Sequence, residues 1–570
     1  MTHIVQDPET FAEVALAGFC DAYSHIVMAV PGGALRSTKT KAGKVVVVIG
    51  GGSGHYPAFA GYVGRGFADA AVAGDVFASP STQLVYQVSK QAHQGAGMIL
   101  GFGNYAGDVL NFGFAAERLR GEGIDVRVLA VTDDVASAPA SEEAKRRGVA
   151  GDIPVFKIAG ASAERGDDLD TVERLARLAN ARTRSFGIAF GGCTLPGAHS
   201  PLFTVPEGKM ALGLGIHGEP GIQEIPMGTA NEIAALLVAR VLGDAPANAG
   251  RRAGVLLNGL GSTKYEELFA LWIPVRAALE AAGIDIVAPQ IGELVTSLDM
   301  EGCSLTLTWL DDDLEPLWLA PCDTAALRIG LLPEAERAEA LPEQSFERTA
   351  WPDASPASQS TGRVIANAME HLATVMRDAE EELGRIDAVA GDGDHGQGMR
   401  RGAAAAATAA RNASAAGAGA ASVLAAGADA WANRAGGTSG VIWGLGLRSA
   451  SAALDDGAAP SAKQVGQAVM QALQNVMRLG GAKVGDKTLI DAFEPFARTL
   501  TQKLDAGAAG RDAWAGASQA AHDAAEATTG LVPRLGRARP LAERSRGQRD
   551  AGAVSFALAA RAMLAATREP

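Results

Sequence analysis

At 570 residues, 48% hydrophobic and 20% charged, the chain has the composition of a soluble globular protein and is too long for one ordinary core, so two or more domains are expected. A net charge of −14 argues against nucleic acid or an anionic membrane as partner, since both select basic surfaces; a nucleotide needs only a local cluster of cations and metal. Cys20, Cys193, Cys303 and Cys322 are scattered with no Cys-x-x-Cys pair, which removes zinc sites and disulfide frameworks, and a polar N-terminus without a long apolar run suggests a cytoplasmic protein.

To about residue 325, strand-like and helix-like stretches alternate. Val45 to Ile49 is a continuous β-branched run ending in glycines, the pattern of a buried strand. Similar runs are Met98–Leu100, Val126–Val131, Gly187–Phe190, Gly254–Leu257, Ile284–Val287 and Leu305–Trp309, with helical stretches such as Leu169–Asn180 and Thr229–Val241 between several of them. This alternation predicts an α/β domain over 1–333, with parallel or mixed sheets whose ligands bind at the carboxyl ends of strands.

Three turns stand at such ends. Gly50-Gly51-Gly52-Ser53-Gly54-His55-Tyr56-Pro57 follows the valine run. It fails the dinucleotide fingerprint, whose last glycine would fall on His55, and it lacks the Gly-Lys-Ser/Thr of a phosphate loop. It is either a tight turn or a set of exposed N–H groups holding a small polar molecule beside His55. Asn104-Tyr105-Ala106-Gly107-Asp108 follows the strand at Met98; a single Asp there is usually a cap, but at a strand end it gains weight as an acid/base group. In Gly213 to Gly221 the turn formers surround His217. A lone histidine is more often structural, yet a neutral imidazole can add to an electrophilic carbonyl.

Residues 334–360, with Pro342, Pro352 and Pro356 among Glu, Ala, Ser and Gln, read as a linker. Over 361–570 the strand signal nearly vanishes. Val364, Ile365, Met369, Leu372, Val375 and Met376 keep helical spacing, with Gly384 as a stop. Ala403–Ala430 is almost all small residues, which favour helix and let helices approach closely. Further helices are predicted at Ser461–Leu479, Leu489–Leu504, Arg511–Ala527 and Ala553–Arg568, giving an all-helical bundle or barrel.

Between these helices lies Asp387 to Gly396, with Asp387, Asp392 and Asp394 in eight residues. Carboxylates this dense repel unless a cation sits between them. An EF-hand would need a Glu twelfth from Asp392, where Ala403 stands, so a magnesium–phosphate loop is favoured. Gly436-Gly437-Thr438-Ser439-Gly440 suits an anion at a helix start; Gly480 to Thr488 and the arginine-bearing Gly536–Gly552 are either solvated loops or further phosphate contacts.

Together, and in this order, these motifs resemble the dihydroxyacetone kinase family in its single-chain ATP-dependent form, over nearly the whole chain. The resemblance implies a ketose-binding domain followed by a helical-barrel nucleotide domain, in a cytoplasmic homodimer whose two domains meet across chains. It implies that His217 holds the substrate carbonyl carbon as a hemiaminal. Gly52, Ser53, Gly54 and His55 line the substrate, and Asp108 activates the terminal hydroxyl with His55 as helper. Asp387, Asp392 and Asp394 would bind Mg²⁺. ATP would be held by His395, Gly396, Gln397, Gly398, Thr438, Ser439, Gly481, Thr488, Leu489, Asp550, Ala551 and Gly552. Tyr56, Phe59, Gly103 and Arg539-Pro540 depart from the family's usual residues, and the first three favour a four-carbon ketose such as erythrulose over dihydroxyacetone. A non-catalytic ketose sensor and a phosphotransferase-system fusion with bound ADP are the alternatives.

Overall fold

The computed structural model describes residues 4–5, 7–219, 221–338, 351–389, 391, 393–535 and 545–566. The chain divides into two compact units, Met1–Pro342 and Glu343–Pro570.

In the first unit the valine run forms the strand Val46–Ser53. Val46 to Ile49 are wholly buried, because a parallel strand roofed by helices on both faces has no solvent side. It lies parallel to Ala70–Val76 on one side and Met98–Gly103 on the other, and Val126–Val131 continues the parallel array. The opposite edge is antiparallel: the hairpin Val27–Val30 and Gly33–Arg36 joins through Gly33–Arg36 to Ala70–Val76. The second sheet runs in the order Gln223–Pro226, Lys209–Leu212, Thr183–Ala189, Gly302–Trp309, Arg252–Gly259, Asp285–Gly292. Only its last pair is parallel. Both sheets are therefore mixed, and the helix–strand alternation marks crossovers without fixing the direction of every neighbour.

The second unit is all helical among the described residues. Pro356–Asp378 starts within the stretch read as linker; Pro356 sits in the first turn, where its missing N–H has no intrahelical partner to lose, and Ser355 caps it by accepting from Ser358 N–H at 3.1 Å. Gly384 does not stop a helix: Glu380–Asp387 runs through it. The alanine-rich stretch forms two helices, His395–Ala415 and Ala420–Ala435, broken where Gly417 turns at φ +85°. Then come Gly437–Ala452, Ala462–Gly480, Ile490–Asp505, Gly510–Ala527 and Ala551–Ala566. Successive helices pack on one another from Pro356–Asp378 and His395–Ala415 onward, and Ala551–Ala566 packs back on Pro356–Asp378, closing a ring. Small residues set the spacing. A Cβ on Gly402 would stand 2.7 Å from Ala435 Cβ, and one on Gly427 2.5 Å from Met369 Sδ. Inside the ring Trp431 and Trp443 stack with centroids 5.0 Å apart.

Candidate active site

The residues singled out in the first unit gather around His217. The strand Val46–Ser53 delivers the glycine turn at its carboxyl end, where Ser53 Oγ donates to the Gly74 carbonyl at 2.6 Å. Gly52 and Gly54 admit no side chain: a Cβ on Gly52 would lie 2.8 Å from Ala78 N, and Gly54 has φ +98° with Phe77 packed against it. The segment Thr296–Leu298 is stitched to this turn through Thr296 N–H to the His55 carbonyl (3.2 Å) and Leu298 N–H to the Gly54 carbonyl (2.8 Å). His55 is thereby buried, stacked on Phe77 with ring centroids 5.0 Å apart.

His217 is also buried, and both its ring nitrogens are engaged. Nδ1 lies 3.0 Å from Glu219 Oε1, while the His217 backbone N–H donates to Glu219 Oε2 at 2.9 Å. Arg147 stands 4.0 Å from the same carboxylate. Nε2 faces His55 Nε2 at 3.0 Å, and His55 Nδ1 lies 2.8 Å from the Thr296 carbonyl. A carboxylate and a carbonyl only accept, so each Nδ1 carries a proton. Two neutral rings would then oppose lone pairs across 3.0 Å; the contact holds when one further proton lies between the Nε2 atoms. Burial, with the charge of His217, pushes His55 down to about 3, so His55 rests neutral. Tyr105 presses edge-on against His217, centroids 4.5 Å apart, and immediately precedes the helix Ala106–Gly121, whose first turn carries buried Asp108. His55 thus bonds Thr296 and His217, where the resemblance cast it as the helper of Asp108.

In the second unit, helix starts converge. His395 opens His395–Ala415; its Nδ1 lies 3.2 Å from Ser439 Oγ at the start of Gly437–Ala452, and its Nε2 lies 2.9 Å from Ser555 Oγ in the first turns of Ala551–Ala566. Asp550 caps that last helix by accepting from Ala553 N–H at 2.7 Å, and a Cβ on Gly552 would lie 3.3 Å from Leu489 N, at the head of Ile490–Asp505. Thr488 N–H donates to Asp491 at 2.7 Å in the same corner. Each helix start brings a positive dipole end to this corner, so the corner suits an anion. Gly396, Gln397 and Gly398 lie in the first turn of His395–Ala415, and Thr438 beside Ser439. Gly481 is different: it ends the helix Ala462–Gly480 with φ +71°, and its Cα faces open space. Its glycine is explained by that left-handed turn.

Asp387, the last residue of its helix, receives Gly393 N–H at 2.9 Å, and a Cβ on Gly391 would meet its Oδ1 at 2.5 Å. Loss of solvent and the charge of Asp387 push Asp394 up to about 7. Asp550 rises to about 7 by loss of solvent, with Asp491 and Asp387 adding to it. The charge of Asp387 acts on both Asp394 and Asp550, and carboxyl oxygens are the donors a hard divalent cation such as Mg²⁺ takes, though among the described residues no three of them form a complete metal site. Asp392 lies outside the described residues. So do Pro220 and residues 536–544, among them Arg537, Arg539 and Arg544 of the late arginine-bearing segment. A cleft beside the acidic loop is lined by Asp387, Gly391, Lys487, Arg549 and Asp550.

Sequence reasoning gave no role to Glu219, Thr296, Tyr105, Phe77 or Ser555. Glu219 lay in view two residues after His217; Thr296 and Ser555 carry no local signal, because only the folded chain brings them to a histidine nitrogen.

The two-unit chain thus carries an imidazole pair in its α/β half and an acidic, helix-start corner in its helical half. The chain belongs to the dihydroxyacetone kinase family: the Dak1 domain matches residues 17–326 and the DAK2 domain residues 389–565. It is 53% identical over 566 residues to the D-erythrulose kinase of Mycolicibacterium smegmatis, spanning 98% of each chain. It is 50% identical over 564 residues to the L-erythrulose kinase of Pectobacterium atrosepticum, spanning 98% of this chain and 95% of the other. The crystal structure of the dihydroxyacetone kinase from C. freundii in complex with AMP-PNP and Mg²⁺ matches with TM-score 0.53 at 30% identity, over 99% of both chains. The chain is accordingly an enzyme and a transferase, with an α/β half followed by an all-helical half. Among the described residues no helix is long and apolar enough to cross a membrane.

Proposed function

We propose that the protein transfers the γ-phosphoryl group of ATP to a terminal hydroxyl of a short-chain ketose, erythrulose first and dihydroxyacetone second. The observation that carries this reading is the His217 imidazole, fixed on one side by Glu219 and meeting His55 on the other. Its Nε2 forms a bond to the carbonyl carbon, and the C=O π pair moves onto oxygen. That oxygen takes the proton held between the two Nε2 atoms, which His217 Nε2 releases as it bonds carbon, and the Nδ1 proton passes to the Glu219 carboxylate. The neutral hemiaminal selects ketoses over polyols, which have no carbonyl to trap. Asp108 then accepts the proton of the terminal hydroxyl as that oxygen attacks phosphorus. Asp387 and Asp394, with Asp392, would hold Mg²⁺, which when bound supplies charge neutralisation for the phosphates; positioning does the rest. The erythrulose kinase names of the relatives support the substrate class. A homodimer and a cytoplasmic setting belong to the same proposal.

The test is ADP release by the purified protein with Mg-ATP and ketoses of three to five carbons, D and L, without any added phosphocarrier protein. Folded protein that turns over none of them ends the reading, and turnover restricted to an added phosphocarrier favours the ADP-bound fusion instead. A ketose labelled with ¹³C at the carbonyl should show a tetrahedral-carbon signal on binding.

A further inference from the structure

Asp152 has no part in the chemistry above, yet it is placed as a site residue. It opens the helix Asp152–Arg165, is 3% exposed, and its Oδ1 makes no hydrogen bond. Its neighbour Asp133 is spoken for: it accepts from Val149 N–H at 2.9 Å and Gly151 N–H at 2.8 Å, tying down the loop before that helix. Asp152 does no such work. Its Oδ2 lies against Gly103, the last residue of the strand Met98–Gly103, two residues before Tyr105 and five before Asp108. A Cβ on Gly103 would lie 3.2 Å from Tyr105 Cε2 and 3.5 Å from Asp152 Oδ2. The Tyr105 hydroxyl is a second buried oxygen without a hydrogen bond, on the ring that packs edge-on against His217. Asp152 and Tyr105, each carrying a buried oxygen without a hydrogen bond, thus both border Gly103 at the carboxyl end of a strand, and Tyr105 packs on the histidine proposed to hold the carbonyl.

Buried polar atoms are nearly always paired, and an orphan one marks a place where a ligand completes the set. Burial, with Asp133 and then Asp108 adding their charge, drives the Asp152 carboxyl well above the usual carboxylate range. As a neutral acid it can donate one hydrogen bond and accept another, the pattern that matches an alcohol. A ketose longer than three carbons brings one more hydroxyl, which needs a partner once it is buried.

We propose that Asp152 is a specificity-determining residue that hydrogen-bonds, through its unpartnered Oδ1, a hydroxyl of a four-carbon ketose other than the one phosphorylated. The assignment rests on the ketose kinase reading and adds to it the group that tells chain lengths apart.

The experiment compares kcat and KM for erythrulose and dihydroxyacetone in the full-length enzyme and in Asp152→Ala, Asp152→Asn and Gly103→Ala, with melting temperatures alongside. Asp152→Ala should lower the ratio of kcat/KM for erythrulose to that for dihydroxyacetone at least tenfold, mainly through KM. Asp152→Asn, which still donates and accepts, should recover most of that ratio. Gly103→Ala, which puts a methyl beside Asp152, should lower the ratio as Asp152→Ala does, and it decides the matter should Asp152→Ala not fold. Equal effects on both ketoses, or an unchanged ratio, would overturn the assignment while leaving the kinase reading intact. No turnover of either ketose by the unsubstituted enzyme would overturn the kinase reading and this assignment with it.

Discussion

Replacing Glu219 by Gln changes one atom and tests the whole arrangement around His217. The carboxylate accepts twice from that residue, from the backbone N–H at 2.9 Å and from Nδ1 at 3.0 Å, and it holds a ring proton on Nδ1, so that Nε2 is the nitrogen that meets carbon once the proton shared with His55 is released. An amide has one accepting oxygen for those two donors. If its NH₂ faces the ring, Nδ1 must accept, the proton moves to Nε2, and the nucleophile is blocked. If its oxygen faces the ring, the backbone N–H loses its acceptor and the Nδ1 proton loses the carboxylate that takes it up as the adduct forms. A hydrogen bond to a charged group contributes roughly 1.5–3 kcal/mol, so kcat/KM should fall roughly 10- to 150-fold. The measurement is kcat/KM for erythrulose by coupled ADP detection, with the affinity for ATP followed separately. Burial is unchanged by the swap, so the melting temperature serves as the control for folding. Unaltered kcat/KM in a folded Glu219→Gln protein would refute the tautomer reasoning and with it the role of Glu219 as the positioning residue.

His217→Ala should erase the preference for ketose over glycerol while nucleotide affinity stays close to that of the unsubstituted protein, read by competition binding; a preference that survives would remove the hemiaminal. Asp394→Ala should abolish Mg²⁺-dependent nucleotide binding, measured calorimetrically, and leave the ¹³C adduct signal in place; nucleotide binding that persists with its metal dependence would refute the assignment of Asp394. His55 sets an acid limit. Its folded value, about 3, lies below its ordinary value of 6.5, so the stability it contributes is whole above pH 6.5 and is lost as pH falls toward 3, by at most about 1.4 kcal/mol per pH unit. The urea midpoints of the unsubstituted chain and of His55→Asn should therefore draw together between pH 7 and pH 5, and parallel midpoints would show that His55 is not buried neutral.

The parts of this structure that could be read from the sequence are those with a local cause. Val46 to Ile49 announce a strand because every side chain there must find apolar surroundings, and the helix Ala462–Gly480 announces itself through Ser461, which caps it in a reciprocal pair with Gln464. The hairpin Val27–Val30 and Gly33–Arg36 went unread, since four-residue strands give too short a pattern, and strand direction in the second sheet depends on neighbours distant in the chain. The site divides in the same way. His217, Asp108 and the aspartates of the acidic loop stand in turns rich in glycine, where a polar side chain is conspicuous. Thr296 reaches His55 across 241 positions, and Asp152 sits beside Gly103 for reasons of packing alone, so neither could be seen before the chain was folded.

The ring of helices has a consequence for synthesis. Its closing member, Ala551–Ala566, also brings Asp550 and Ser555 to the corner where the other helix starts meet. A ribosome-bound chain lacking that member has an open bundle and an incomplete nucleotide corner, whatever the α/β half has already achieved. The ring, and the corner built on it, are complete only once Ala551–Ala566 has left the exit tunnel.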